Sequence, residues 1–78
     1  MEYKVEVFEM GDMPRNIEEE EPESVTVFTE IEAARNNARE KAEQIYSGRV
    51  RRQDSEETDY DCFFYESGQP GNVAVKLV

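Results

Sequence analysis

Seventy-eight residues suffice for one domain and leave no material for a second core. Nineteen Asp and Glu against nine Lys and Arg give a formal net charge of -10, which disfavours direct contact with nucleic acid or an anionic membrane. With no histidine and one cysteine, the chain lacks the commonest general base and metal ligand and has no internal disulfide framework.

No stretch approaches the roughly 18 apolar residues of a membrane span. The N-terminus, Met1-Glu2-Tyr3-Lys4-Val5-Glu6, alternates polar and apolar residues and lacks the basic start of a signal peptide. A cytoplasmic location is expected. Residues 2–10 carry the period of two of a half-buried strand, with Tyr3, Val5 and Val7 toward the core and Lys4, Glu6 and Phe8 the other way. Residues 11–23 read as a flexible acidic loop: Gly11, Pro14 and Pro22 break regular structure, and Glu18 to Glu21 repel one another.

Ser24 to Phe28 is β-branched and fits a second strand. A helix is predicted over 30–47. Thr29-Glu30-Ile31-Glu32 has the spacing of a capping box, in which the Thr29 hydroxyl accepts an amide of the first turn and Glu32 reaches back. Ile31, Ala34, Ala38, Ala42 and Ile45 form one apolar stripe whose alanines permit close approach to a sheet, and Gly48 stands where a left-handed C-cap is expected.

Residues 49–53 leave room for an extra short strand with Val50 inward, and residues 54–59 read as a second acidic loop. Residues 60–66 and 72–78 form a predicted hairpin, joined through Ser67-Gly68-Gln69-Pro70-Gly71. Strict alternation puts Tyr60, Cys62 and Phe64 on the core face and Asp61, Phe63 and Tyr65 on the other. The expected fold is a single α+β domain over 1–78. It has a mainly antiparallel sheet of four to five strands, in the order β-β-α-β-β with the extra short strand as the fifth, and one helix on one face.

Catalysis is not expected, since carboxylate pairs are unavoidable in so acidic a chain and a domain this small offers little room for the desolvated pocket they would need. Asp54-Ser55-Glu56-Glu57-Thr58-Asp59-Tyr60-Asp61 has oxygen ligands at alternating positions, but it lacks the glycine and distal glutamate of a calcium loop. No metal or cofactor is assigned. Cys62, between strand aromatics and with no histidine to activate it, reads as a small core hydrophobe. Arg49, Arg51 and Arg52 form a basic island, whose simplest role is to neutralise the neighbouring acids.

Two surfaces remain as candidates for protein binding. One is acidic: Glu18, Glu19, Glu20, Glu21, Glu23, Asp54, Glu56, Glu57, Asp59 and Asp61. The other is an aromatic sheet face of Phe8, Phe63 and Tyr65, which could anchor a partner or a second copy, or be covered by the 11–22 loop. The succession of N-terminal strand, capped Ala-rich helix, Gly48-Arg49-Val50-Arg51-Arg52 step and Cys62-Phe63-Phe64-Tyr65-Glu66 hairpin resembles that of small phage-encoded α+β proteins, including some anti-CRISPR proteins. The resemblance spans most of the chain, is architectural, and transfers no functional residues; strong acidity is not general to that group. The acidic surface suggests a non-catalytic inhibitor or adaptor that docks on a basic, nucleic-acid-handling protein, where its carboxylates imitate a phosphate backbone and occupy the nucleic-acid site. The competing expectation is an acidic housekeeping domain of a salt-adapted organism, acting as a homodimer or small subunit.

Overall fold

The structure is a computed structural model that describes residues 1–8, 21–66 and 72–78. The expected turn over 67–71 and the expected acidic loop as far as residue 20 lie outside the described residues. Strands β1 (Tyr3–Val7) and β2 (Ser24–Phe28) precede a helix, α1 (Ile31–Tyr46), and strands β3 (Arg51–Asp54), β4 (Tyr60–Tyr65) and β5 (Val73–Leu77) follow it. The chain order is therefore β-β-α-β-β-β, which corrects the four-strand order: the short segment after the helix is a true edge strand. It begins two residues later than expected, so Val50 packs on the core from just outside it.

All strand pairs are antiparallel, in the spatial order β2-β1-β5-β4-β3. The C-terminal strand thus occupies the centre, between β1 and β4. β5 is buried over its first three residues, Val73, Ala74 and Val75, as a central strand requires. The helix lies on one face of the sheet, over β1, β5, β4 and β2, and runs from the end where β4 starts to the end where β5 starts. It lays Ala34, Ala38 and Ala42, all wholly buried, against Val5, Val7, Cys62, Phe64, Val73 and Val75. Methyl side chains bring the helix axis close enough for these strand residues to fill the interface without a second layer of large side chains.

Both helix ends depart from the sequence expectation. The N-cap is Glu30, in extended backbone (φ -122°, ψ 133°), and no side chain caps it, so the Thr29 capping box does not form. Glu32 instead accepts a hydrogen bond from Arg35 Nη1 at 2.9 Å, and the first turn closes through the Ala34 amide on the Glu30 carbonyl. At the other end the left-handed residue is Ser47 (φ 55°), not Gly48. Tyr46 donates its hydroxyl to Oδ1 of buried Asn72 at 2.6 Å, which pins the last turn of the helix to the start of β5.

The largest departure lies in β4. Tyr60 pairs with Lys76 and Cys62 with Val75, two steps in one strand against one in the other, so Asp61 is the extra residue of a β-bulge. Strict alternation fails at that point. Cys62 and Phe64 face the helix as expected, but Tyr60 turns to the opposite face, where it packs with Phe8, Ala74 and Phe63.

A left-handed conformation costs a residue with a side chain about 1 kcal/mol relative to glycine. Ser47→Gly is accordingly expected to raise stability by roughly 0.5–1 kcal/mol, measured as a shift of the urea midpoint with unchanged slope.

Candidate functional site at the acidic end of the sheet

One end of the sheet gathers the start of α1, the β3–β4 connection and the start of β4. The bulge aims Asp61 at the helix, where its carboxylate accepts two hydrogen bonds from one guanidinium: Arg35 Nε to Oδ2 at 2.8 Å and Nη2 to Oδ1 at 2.7 Å. The same arginine contacts Glu32. Arg52, projecting on the helix side of β3, pairs with Asp54 at 2.7 Å and stands 3.7 Å from Asp61. Glu32, Arg35, Asp61, Arg52 and Asp54 therefore form one continuous chain of charge from helix to edge strand.

Side chains of Arg35 and Asp61 are only 23% and 14% exposed, so the central pair is largely shielded from solvent. The Arg35 hydrogen bond holds the Asp61 carboxyl below its ordinary 3.8 against the opposing effect of burial. Arg35 is raised in turn, chiefly by the same bond. The neighbouring Cys62 thiol is pushed up to about 12, first by burial and then by its hydrogen bond to Asp61, and is wholly inside the core. Such a thiol is protonated at neutral pH and packs as a hydrophobe.

Beyond this network the β3–β4 connection presents Glu56, Glu57 and Asp59 to solvent, beside exposed Asp54. The connection is shaped by a 2.8 Å hydrogen bond between the Ser55 and Thr58 hydroxyls, by Thr58 Oγ1 accepting from the Tyr60 amide at 3.2 Å, and by the Ser55 amide on the Asp61 carbonyl at 3.0 Å. These bonds leave a shallow depression of about 360 Å³ lined by residues 53–58. Glu30 is exposed on the adjacent helix entry. Among the described residues no three His, Cys, Asp or Glu side chains are grouped to hold a metal ion.

The acids singled out from the sequence do not share one surface. Asp54, Glu56, Glu57 and Asp59 lie together at this end, with Asp61 just beneath them as the partner of two arginines. Glu21 and Glu23 stand at the opposite end and opposite edge, where the Glu23 amide donates to the Val7 carbonyl at 2.6 Å. Glu18, Glu19 and Glu20 lie outside the described residues. Of the basic island, Arg52 neutralises nearby acids as expected, whereas Arg49 and Arg51 form no ion pair with a described residue and line a depression of about 440 Å³ with Val50 and Glu66.

Phe8 does lie on the face away from the helix, but it is 1% exposed and belongs to that face's own core with Tyr60 and Ala74. It is not available as an exposed anchor. Phe63, its ring 5.3 Å from Tyr60, and Tyr65 are half-buried. Lys76 Nζ lies 5.6 Å from the Tyr60 ring centroid, and the Tyr60 hydroxyl lies 3.4 Å from the buried Glu6 carboxylate.

Sequence reasoning missed Arg35, the hub of the charge network. Its i,i+3 spacing from Glu32 was a readable signal; its link to Asp61, 26 residues away, was not. The chain matches no protein-family model, and no curated protein or solved structure is significantly similar to it.

Two measurements test the network. Asp61→Asn is expected to cost about 1–3 kcal/mol at neutral pH, because Arg35 loses a charged acceptor. Since the folded-state pKa of Asp61 is depressed, this contribution is complete above the unfolded value of 3.8 and disappears as pH falls through the folded value. The wild-type minus variant difference from urea melts should then be flat near neutrality and shrink in acid. Cys62 is expected to resist a thiol-specific disulfide reagent in the native state, its reaction rate following the rate of opening under graded denaturant.

Proposed function

We propose that this protein is a non-catalytic binding domain that docks the acidic end of its sheet on a basic protein surface, as an inhibitor or nucleic-acid mimic. One observation carries the reading. Exposed Glu30, Glu56, Glu57 and Asp59 stand beside a charge network in which both local arginines, Arg35 and Arg52, are already committed to Glu32, Asp61 and Asp54. Those four carboxylates form no ion pair with a described residue and stand together beside a framework held by the helix and two strands. A rigid array of carboxylates resembles a phosphate backbone in charge and is suited to a surface that binds one. The likeness to small phage-encoded inhibitors is in keeping with that role.

A second reading is favoured by the spread of the remaining acids. Glu21 and Glu23 at the far end, with Glu40 and Glu43 exposed on the helix, are also what general solvation would produce. On that reading the protein is an acidic housekeeping domain of a salt-adapted organism, working as a homodimer or small subunit.

The deciding experiment is capture from a nucleic-acid-depleted cell extract on immobilised protein. The wild type is compared with an Asp54→Asn/Glu56→Gln/Glu57→Gln/Asp59→Asn variant. Mimicry predicts retention of a basic nucleic-acid-handling protein, its loss with the variant, and its release by a competing DNA duplex or by salt. Retention that survives neutralisation of these four acids, or a native state that gains stability steeply over molar salt with nothing captured, rejects mimicry and favours the second reading.

A further inference from the structure

The two edges of the sheet are built differently. β3 presents Arg51, Arg52, Gln53 and Asp54, all exposed, and such charged edges resist strand addition. β2, Ser24-Val25-Thr26-Val27-Phe28, contains no charged residue and no proline, and among the described residues its one strand neighbour is β1. Its Val25 and Val27, 48% and 50% exposed, stand opposite Glu6 and Lys4 on the face away from the helix. On the helix side, Thr26 accepts a hydrogen bond from Lys41 Nζ at 2.8 Å and Phe28 packs on the core, so the strand is anchored. An uncharged, β-branched, anchored edge is a template for one more strand.

Charge decides which strand. The uncharged run is bracketed by exposed Glu21 and Glu23 at its start and by exposed Glu30 just past its end. A second copy paired antiparallel about Thr26 would set Glu23 opposite Thr29 and beside Glu30 at both ends of the junction, between two chains of net charge -10. A foreign strand with an uncharged β-branched middle and Lys or Arg at both ends meets carboxylates at both ends instead. We infer that the β2 edge is a strand-addition site for an extended segment of a basic protein, with main-chain hydrogen bonds giving affinity and the flanking glutamates selecting basic ends. This rests on the reading of the partner as a basic protein, but apart from Glu30 it uses an edge remote from the β3–β4 acids.

The test is a titration of the isotope-labelled protein with a capped peptide Lys-Arg-Thr-Val-Thr-Val-Thr-Arg-Lys, followed by backbone amide NMR. Two control peptides are used, one with both valines replaced by proline and one with glutamates in place of the four basic residues. The expected result is perturbation and slowed exchange confined to 24–28 and its β1 partners. Binding should fall about tenfold or more for either control peptide, and similarly for the Val25→Lys/Val27→Lys variant, whose new charges lie on exposed positions and repel basic ends. Equal perturbation by the proline peptide would overturn the inference, because charge alone would then account for binding. So would shifts at 54–59 in place of 24–28, a result that leaves the proposed docking of the acidic end intact. No perturbation at millimolar peptide, or a sedimentation mass of two chains that Val25→Lys/Val27→Lys returns to one, would equally overturn it.

Discussion

The bidentate contact between Arg35 and Asp61 ties the first turns of the helix to the β-bulge at the start of β4, and much of the molecule is arranged around it. The bulge is what lets consecutive residues Asp61 and Cys62 both turn toward the helix. Cys62 then completes the apolar interface beneath Ala34 and Ala38, while Asp61 meets the one guanidinium within reach of both Glu32 and itself. The same local twist sends Tyr60 to the other side, where its ring closes a second small cluster with Phe8 and Ala74. A single inserted residue thus supplies both faces of the sheet. A largely buried carboxylate would oppose folding without its guanidinium, so contact and bulge require one another.

Placing the last strand in the middle of the sheet has consequences for surface chemistry. Because β5 lies between β1 and β4, the edges fall to β2 and β3, the strands on either side of the helix in sequence. The helix covers a single face, lying over β2, β1, β5 and β4. Charged residues of β3 and its following loop therefore collect at one corner with the helix N-terminus, where the backbone dipole favours carboxylates. Uncharged β2 is left at the opposite edge. That the acids of 54–59 gather at one corner while β2 itself carries no charge is a product of strand order.

β1, β3 and β4 each pair with the next strand in sequence, whereas the pairing of Tyr3 with Leu77 brings the first and last strands together. The pin from Tyr46 to Asn72 and the pair from Arg35 to Asp61 attach the two ends of the helix to β5 and β4, each across 26 residues. Polar contacts at the helix ends and an alanine stripe between them fix both its height and its angle on the sheet.

Much of this was legible in the residue order. The period-two runs at 3–7 and 24–28, the alanine stripe and the terminal hairpin each express a local rule: side chains alternate along a strand and recur every three to four residues on a helix. Local rules placed Phe8 away from the helix and Cys62 in the core. They failed where long-range contacts outweigh them. The Thr29 capping box yielded to an entry at Glu30, with Glu32 engaged by an Arg35 that is itself held by Asp61, and the left-handed residue is Ser47, next to the Tyr46 bonded to Asn72. Alternation through Tyr60 and Asp61 broke at a bulge whose extra residue meets the half-buried Arg35 guanidinium, information held 26 positions away. By itself the sequence determined the element types, the core stripe and the total charge, since these depend on neighbours a few residues apart. Tertiary structure alone decided strand order, and with it which acids stand together and which edge is left uncharged, because both depend on contacts between residues far apart in the chain.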